Sequence, residues 1–416
     1  MMMSNNVIVL GAGIVGVSCA LELQRRGVHV TLVDRRGAGE ETSYGNAGVL
    51  ARSSLMPFNN PGLWSSLPRL LRNDTVQFRY NLPFLVRNIR WGVGFLSNAR
   101  QEVFEETTAA LDSLISLSSK EHNRLMNEAG VISRLRTNGW VFLYRSEQAF
   151  QGSRLSRETF AKFGVDIEVL SKEGLTALEP DLLPIFKKAI WIKDTQSVDS
   201  PGKIVQAYAN RFVERGGVVR NLDVKSISQT PSGWRVSDGS GVELVGQRIV
   251  VALGPWSQQV LKSAGVHVPM GFERGYHMHY SSRAAATLQR PVYDTGGGYV
   301  LSPMEAGLRL STGVELNACD APKHPVQLDL AEAAARQAFP LGERLDGEIW
   351  MGRRPTLPDS RPIIGQAPGR PGLWLAFGHQ HIGFSTGPGT AAVLAALMFG
   401  EKPEISAAPF RPERFI

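Results

Sequence analysis

The chemistry legible in this chain begins at Gly11-x-Gly13-x-x-Gly16, where Ile14 and Val15 fill two of the spacer positions. A β-branched apolar run at 6–10 leads into it, helically spaced residues at 17–26 follow, and a second apolar run at 28–33 ends in Asp34. This is the strand–turn–helix–strand pattern that holds a dinucleotide. Gly11 permits the tight turn, Gly13 lets backbone approach a pyrophosphate, and Gly16 lets the helix pack on the strands. The phosphates would meet free N–H groups at the positive end of the helix dipole, and Asp34 would accept hydrogen bonds from a ribose hydroxyl. Beyond Asp34 the loop Thr42-Ser43-x-Gly45-Asn46-Ala47-Gly48-Val49 is small, polar and glycine-rich. Such a loop can offer N–H and hydroxyl groups to a pyrophosphate and lie against a flat ring. The glycine motif by itself leaves NAD and FAD open.

Together these two stretches, Gly11 to Ala20 with Asp34 and Thr42 to Gly48, resemble the FAD-dependent amino-acid oxidoreductases of the D-amino-acid oxidase superfamily, and most of all its bacterial D-amino-acid dehydrogenase group. The resemblance spans nearly the whole chain and is most specific at 7–50, 247–257 and 350–390. It implies an α/β fold: a glutathione-reductase-type FAD-binding Rossmann lobe interwoven with a mixed β-sheet substrate lobe. The expected division is 1–80, 196–265 and 350–416 for the FAD lobe, against 81–195 and 266–349 for the substrate lobe. Further FAD contacts are implied at Arg35, at Val224 against the adenine, at Ala252, Gly254 and Trp256 after the strand at 248–253, and at Gly352.

The same resemblance assigns the substrate carboxylate to Arg354, in Gly352-x-Arg354-Pro355-Thr356. Leu357 then stands between Thr356 and Pro358, a one-residue departure from the family's spacing. A planar guanidinium suits the task because it makes two parallel bonds to a carboxylate and stays charged when desolvated. Tyr276 and Tyr299, with Arg274, would complete the cradle. No cysteine stands near 352–356, which disfavours covalent attachment and implies non-covalent FAD. The stretch Gly378-His379-x-His381-x-Gly383-Phe384-Ser385 reads as the end of a strand, a glycine-rich loop and a helix N-terminus, whose partial positive charge would favour negative charge developing on the flavin. His379 and His381 could be bases, although a histidine beside a flavin is more often a hydrogen-bonding wall. No metal site is expected, since both sit on a loop without a carboxylate at liganding spacing.

The elements that must position these groups are partly readable. Helices are expected at 103–129, at 151–163 and from the turn at 199–203 through to 215, and strands at 135–144, 217–220 and 222–227, with a hairpin at 234–245. Composition is that of a folded chain, 43% hydrophobic and 20% charged. The net charge of +7 comes without a Lys/Arg run, so no nucleic-acid partner is expected. Two cysteines make no disulfide framework, pointing to a reducing, cytoplasmic compartment. The apolar run at 7–23 carries three glycines and lacks a basic front, so it reads neither as a signal peptide nor as a membrane span. Between 64 and 100, six arginines and six aromatic residues face a single acid, Asp74. This suits either a helical part of the substrate lobe or a peripheral contact with the inner face of the cell membrane.

The expected reaction is oxidative deamination of a small, D-configured amino acid, with oxygen or a membrane quinone as electron acceptor. A secondary-amine or imino-acid oxidase or dehydrogenase is the alternative. An NAD-dependent dehydrogenase and a non-catalytic flavin binder also stay open, and oligomeric state is not legible.

Overall fold

The structure, a computed structural model, describes residues 6–416. Its first sheet is assembled from short β-branched runs distributed along the whole chain. Strands Val218–Asn221, His29–Asp34, Asn6–Leu10, Arg248–Val251 and Leu373–Phe377 lie side by side in that order, all parallel, and Ile363–Gln366 closes the edge antiparallel. The central strands are apolar on both faces because both are covered. Val7 and Val9 pack under helices Ile14–Arg25 and Gly383–Met398, whereas Ile8 and Leu10 pack against Ile227, Trp234 and Val236 of a three-stranded antiparallel layer. The expected hairpin at 234–245 forms two strands of that layer, Gly233–Ser237 and Glu243–Gly246.

The second sheet has eleven strands of mixed direction. Its axis is the twelve-residue strand Gly271–Ser282, which pairs with Trp350–Thr356 along one side and with Gly307–Thr312 and Val314–Leu316 along the other. Successive side chains of a strand point to opposite faces. Tyr276, Met278 and Tyr280 therefore enter a core with Leu328, Ala331 and Ala335 of helix Val326–Arg336. Glu273, Gly275 and His277 occupy the other face.

The helix expected at 103–129 is observed at Gln101–Glu128. The strand expected at 135–144 is broken: Gly139 takes φ +77, and the two pieces, Leu135–Arg136 and Trp140–Tyr144, enter different sheets. Leu135–Arg136 joins Val49–Leu50 and Gln196–Val198 in a small third sheet, knitting distant segments together. Strand Trp350–Thr356 pairs into the eleven-stranded sheet.

Candidate active site

The parallel strands end their C-terminal edges at one cavity of about 890 Å³. That is where open α/β sheets bind ligands. Gly11 takes φ +102, and a methyl there would lie 2.4 Å from the Ala252 carbonyl oxygen. A methyl on Gly16 would lie 1.8 Å from the Gly11 oxygen, so Gly16 serves packing and does not itself line the cavity. Gly13, in extended backbone, caps helix Ile14–Arg25, and the Ile14 N–H donates to Ser43 Oγ at 3.0 Å. Asp34 accepts from the Ala12 N–H at 2.7 Å and the Arg36 N–H at 2.9 Å. Burial raises its pKa against those two bonds. A carboxylate has about four acceptor positions, so ribose hydroxyls still find room.

The loop after Asp34 is locked from several sides. Thr42 donates to the Arg353 carbonyl at 2.8 Å, and Gly48 N–H donates to Asn46 Oδ1 at 2.8 Å. Gly45 lies so close to the Trp350 ring that no side chain fits. Arg309 donates to the carbonyls of Tyr44 and Asn46. Ala47 and Val49 face the cavity, whereas Gly48 (φ +72) turns the chain behind it. At the far end of the cradle Arg35 stacks on Trp256 at 4.1 Å, with Val224, Ala252 and Gly254 also on the wall.

The C-terminal loop closes the cavity from below. Its Gly378 (φ +88) makes the turn without lining the space. Gly383, Phe384 and Ser385 line it at the N-terminus of Gly383–Met398, and Ser385 Oγ bonds both the Val49 carbonyl and the Ala51 N–H. The Gln380 N–H donates to the Pro355 carbonyl at 2.9 Å, tying this loop to the strand that carries Arg354.

Arg354 reaches into the same space. Its Nη2 lies over Gly275, where a methyl would come within 2.3 Å, and Nη1 donates to the Gly313 carbonyl at 3.3 Å. Among the described residues it makes no ion pair. Burial lowers its pKa, and the charge of Glu273 opposes the shift. Gly352 lines the cavity on the same strand face.

Two expected cradle residues stand elsewhere because of strand alternation, and a third only borders the cavity. Tyr276 and Arg274 are on the face of Gly271–Ser282 opposite Gly275 and do not line the cavity. The Tyr276 hydroxyl donates to Glu315 at 2.6 Å, and Arg274 binds that hydroxyl, Glu315 and the carbonyls of Ala321 and Pro322. Tyr299 borders the cavity, but its ring packs in the core beneath the sheet beside Asp294 and Arg145. His379 also borders it, yet its Nε2 is spent on Thr390 Oγ1 at 2.9 Å, and burial drives its pKa down to about 3.

Other side chains, not picked out beforehand, face the same space. Glu273 lines the cavity, as do Trp140, Phe142 and Tyr293, whose rings meet edge to face or tilted at 4.7–6.3 Å. His381, expected as a possible base, also lines the cavity and stacks on Phe58 at 4.4 Å. Period-two counting from Gly275 would have picked Glu273 over Tyr276, but only once the register with Arg354 was known.

His277, His279 and Asp346 bring ligand-type atoms within 4.8 Å of one another. Arg309 Nε, however, donates to His279 Nε2 at 3.0 Å. A buried guanidinium against the cluster repels a second cation.

The cavity wall fits a large polar ligand. Ser53, Trp140, Glu273, Ser311, Gln380 and His381 each hold a buried nitrogen or oxygen there without a protein partner. Buried polar atoms are seldom left so. Neither Cys19 nor Cys319 lines the space.

A parallel sheet with this glycine turn, joined to a roomy cavity under a second mixed sheet, marks a dinucleotide-binding protein. Comparison with known proteins narrows the class: the family model "FAD dependent oxidoreductase" of the D-amino-acid oxidase group matches residues 6–397, and the chain belongs to that family. It is 30% identical to a D-amino-acid oxidase of Bradyrhizobium diazoefficiens, over 99% of each chain. Identity is again 30% with a D-amino acid dehydrogenase of Dechloromonas aromatica, over 96% of this chain and 98% of that one. The crystal structure of glycine oxidase from Geobacillus kaustophilus superposes with a TM-score of 0.75 at 19% identity, covering 99% of this chain and all of the other. The cofactor is FAD, and the protein is an FAD-dependent oxidoreductase.

Proposed function

We propose that the protein oxidises a small D-amino acid at Cα, giving an imine that water hydrolyses to a keto acid and ammonia. The reading is carried by Arg354: a half-buried guanidinium without an ion pair among the described residues, its free donors facing a cavity continuous with the dinucleotide cradle. Full-length relatives named D-amino-acid oxidase and D-amino acid dehydrogenase support the substrate class. In this reading the six-stranded sheet and its helices hold the cofactor and the eleven-stranded sheet supplies the substrate wall. Bound flavin supplies the two-electron acceptor for hydride from Cα. Arg354 holds the carboxylate in two parallel bonds and thereby fixes the Cα–H direction. The N-terminus of Gly383–Met398 offers positive potential where negative charge develops, and Trp140, Phe142 and Tyr293 wall off water and receive the substrate side chain. The FAD is bound without a covalent link.

The test is anaerobic titration of the yellow protein with D- and L-amino acids and D-proline. Bleaching by primary D-amino acids supports the reading, and bleaching by D-proline alone would favour the secondary-amine alternative. Arg354→Ala is expected to keep the colour and lose about 2–4 kcal/mol of transition-state binding, roughly 30- to 1000-fold in kcat/KM.

The acceptor belongs to the same proposal. No described helix is long and apolar enough to cross a membrane. Helices Leu63–Leu70, Leu82–Arg87 and Ile89–Ser97 nevertheless leave Leu71, Leu82, Val86, Ile89 and Val93 about 58–65% exposed among the arginines noted above. Leu67, Leu70 and Leu96 of the same segment line the cavity. A basic, apolar surface beside the cavity fits a peripheral bilayer contact and a quinone acceptor, with oxygen as the other possibility.

A further inference from the structure

Glu273 and Arg354 are direct partners across the antiparallel pair Gly271–Ser282 and Trp350–Thr356. Directly opposed residues project from the same face with Cβ atoms about 5 Å apart. These two nevertheless form no ion pair. Glu273 turns toward Thr356, whose Oγ1 donates to its Oε1 at 2.7 Å, while Arg354 lies over Gly275 and bonds the Gly313 carbonyl. Both line the cavity, and Glu273 Oε2 is buried without a partner. A buried carboxylate oxygen short of a partner, beside a half-buried guanidinium without a counter-ion, is costly as it stands. A single zwitterion would complete both.

From this geometry we infer that Glu273 receives the substrate's amino group on Oε2 and, with Arg354, selects amino acids over plain and 2-hydroxy carboxylic acids. The proposal rests on the carboxylate reading of Arg354. A lone guanidinium would take any carboxylate; a cation and a buried anion on the same cavity wall take a molecule carrying both charges. Burial also raises the Glu273 pKa, which suits a carboxylate that accepts a proton. One N–H bond of the ammonium breaks, an O–H bond forms on Oε2, and the electron pair stays on nitrogen to drive imine formation.

The test uses the flavin-loaded protein and two ligands without an α-hydrogen, which therefore bind without being oxidised: 2-aminoisobutyrate and its isostere 2-hydroxyisobutyrate. Dissociation constants are read from the perturbed flavin absorbance. The unaltered protein is expected to prefer the amine by about tenfold or more, the size of a charge-assisted bond. Glu273→Gln is expected to bring the two ligands within about threefold of each other while leaving the hydroxy acid's affinity in place. Arg354→Ala should weaken both ligands together. If Glu273→Gln keeps the original preference, or the unaltered protein shows none, the inference is overturned. If Arg354→Ala leaves both affinities unchanged, the carboxylate reading fails instead. Should Glu273→Gln not retain flavin, Glu273→Asp withdraws the charge by one methylene; selective weakening of the amine ligand supports the proposal, and equal losses refute it.

Discussion

The guanidinium of Arg354 rests on Gly275 because nothing projects from that position. Adding a methyl there would displace the flexible end of one side chain and leave the backbone undisturbed. Gly275→Ala should therefore keep its flavin colour and melt within about 2 °C of the unaltered protein while kcat/KM drops by about 100-fold, since a displacement near 1 Å costs that much; an active Gly275→Ala would detach Arg354 from the chemistry. Buried histidines make a second prediction. Burial pushes His379 down to about 3 and His122 to about 4, from an ordinary 6.5. The unfolded chain takes up protons that the folded sites refuse. Their contribution is thus complete above pH 6.5 and declines as pH falls toward 4, by about 1.4 kcal/mol per pH unit for each histidine. His379→Gln, which keeps a hydrogen-bonding group for Thr390, should make the fall in urea-unfolding stability between pH 6.5 and 5 shallower by its own share, leaving that of His122. At this scale the sequence was a good guide wherever a motif constrains the backbone, as at Gly11, Gly13 and Ser43. It misled at Tyr276 and Arg274, because their facing depends on a strand parity that residue types do not carry.

Each element of the cofactor cradle could be read locally: a β-branched run, a glycine turn, a helix and a terminal acid, all set by neighbours in sequence. A mixed sheet for the substrate lobe was expected as well, but the pairings of the eleven-stranded sheet could not be read this way. Its registers link residues tens to hundreds of positions apart, as Glu273 does with Arg354 and Val292 with Val141. Helix Gly383–Met398 shows what such contacts demand. Gly389 faces the long helix Gln101–Glu128, and a methyl would stand 2.9 Å from the Leu114 carbonyl oxygen. Gly389→Val should force the helices apart and cost about 1–3 kcal/mol, as overpacking does, visible as a lowered urea midpoint with the slope unchanged. For the basic surface, Leu82→Glu with Val86→Glu should abolish co-sedimentation with anionic vesicles while leaving turnover with a soluble dye intact. Full vesicle binding by that double variant would remove the membrane contact.

At the scale of the molecule, the cofactor is a structural member. A ligand that binds only the folded state adds about 2.7 kcal/mol at 100 times its dissociation constant. Stripping the flavin should accordingly lower the melting temperature, and added FAD should restore it in a concentration-dependent way; a melting point indifferent to FAD would place the cofactor outside the fold's energetics. The cradle is also divided along the chain. Its glycine turn lies at Gly11–Gly16, yet strand Leu373–Phe377 lies between Arg248–Val251 and Ile363–Gln366 in the same sheet, and Trp350 packs on the loop at Gly45. A nascent chain emerging from the ribosome therefore exposes its nucleotide-gripping end long before the residues that finish the grip are synthesised. Loading must wait until translation has passed the last central strand, and a premature stop codon between Asp34 and Leu373 should yield a polypeptide that owns the fingerprint but cannot keep the vitamin-derived dye.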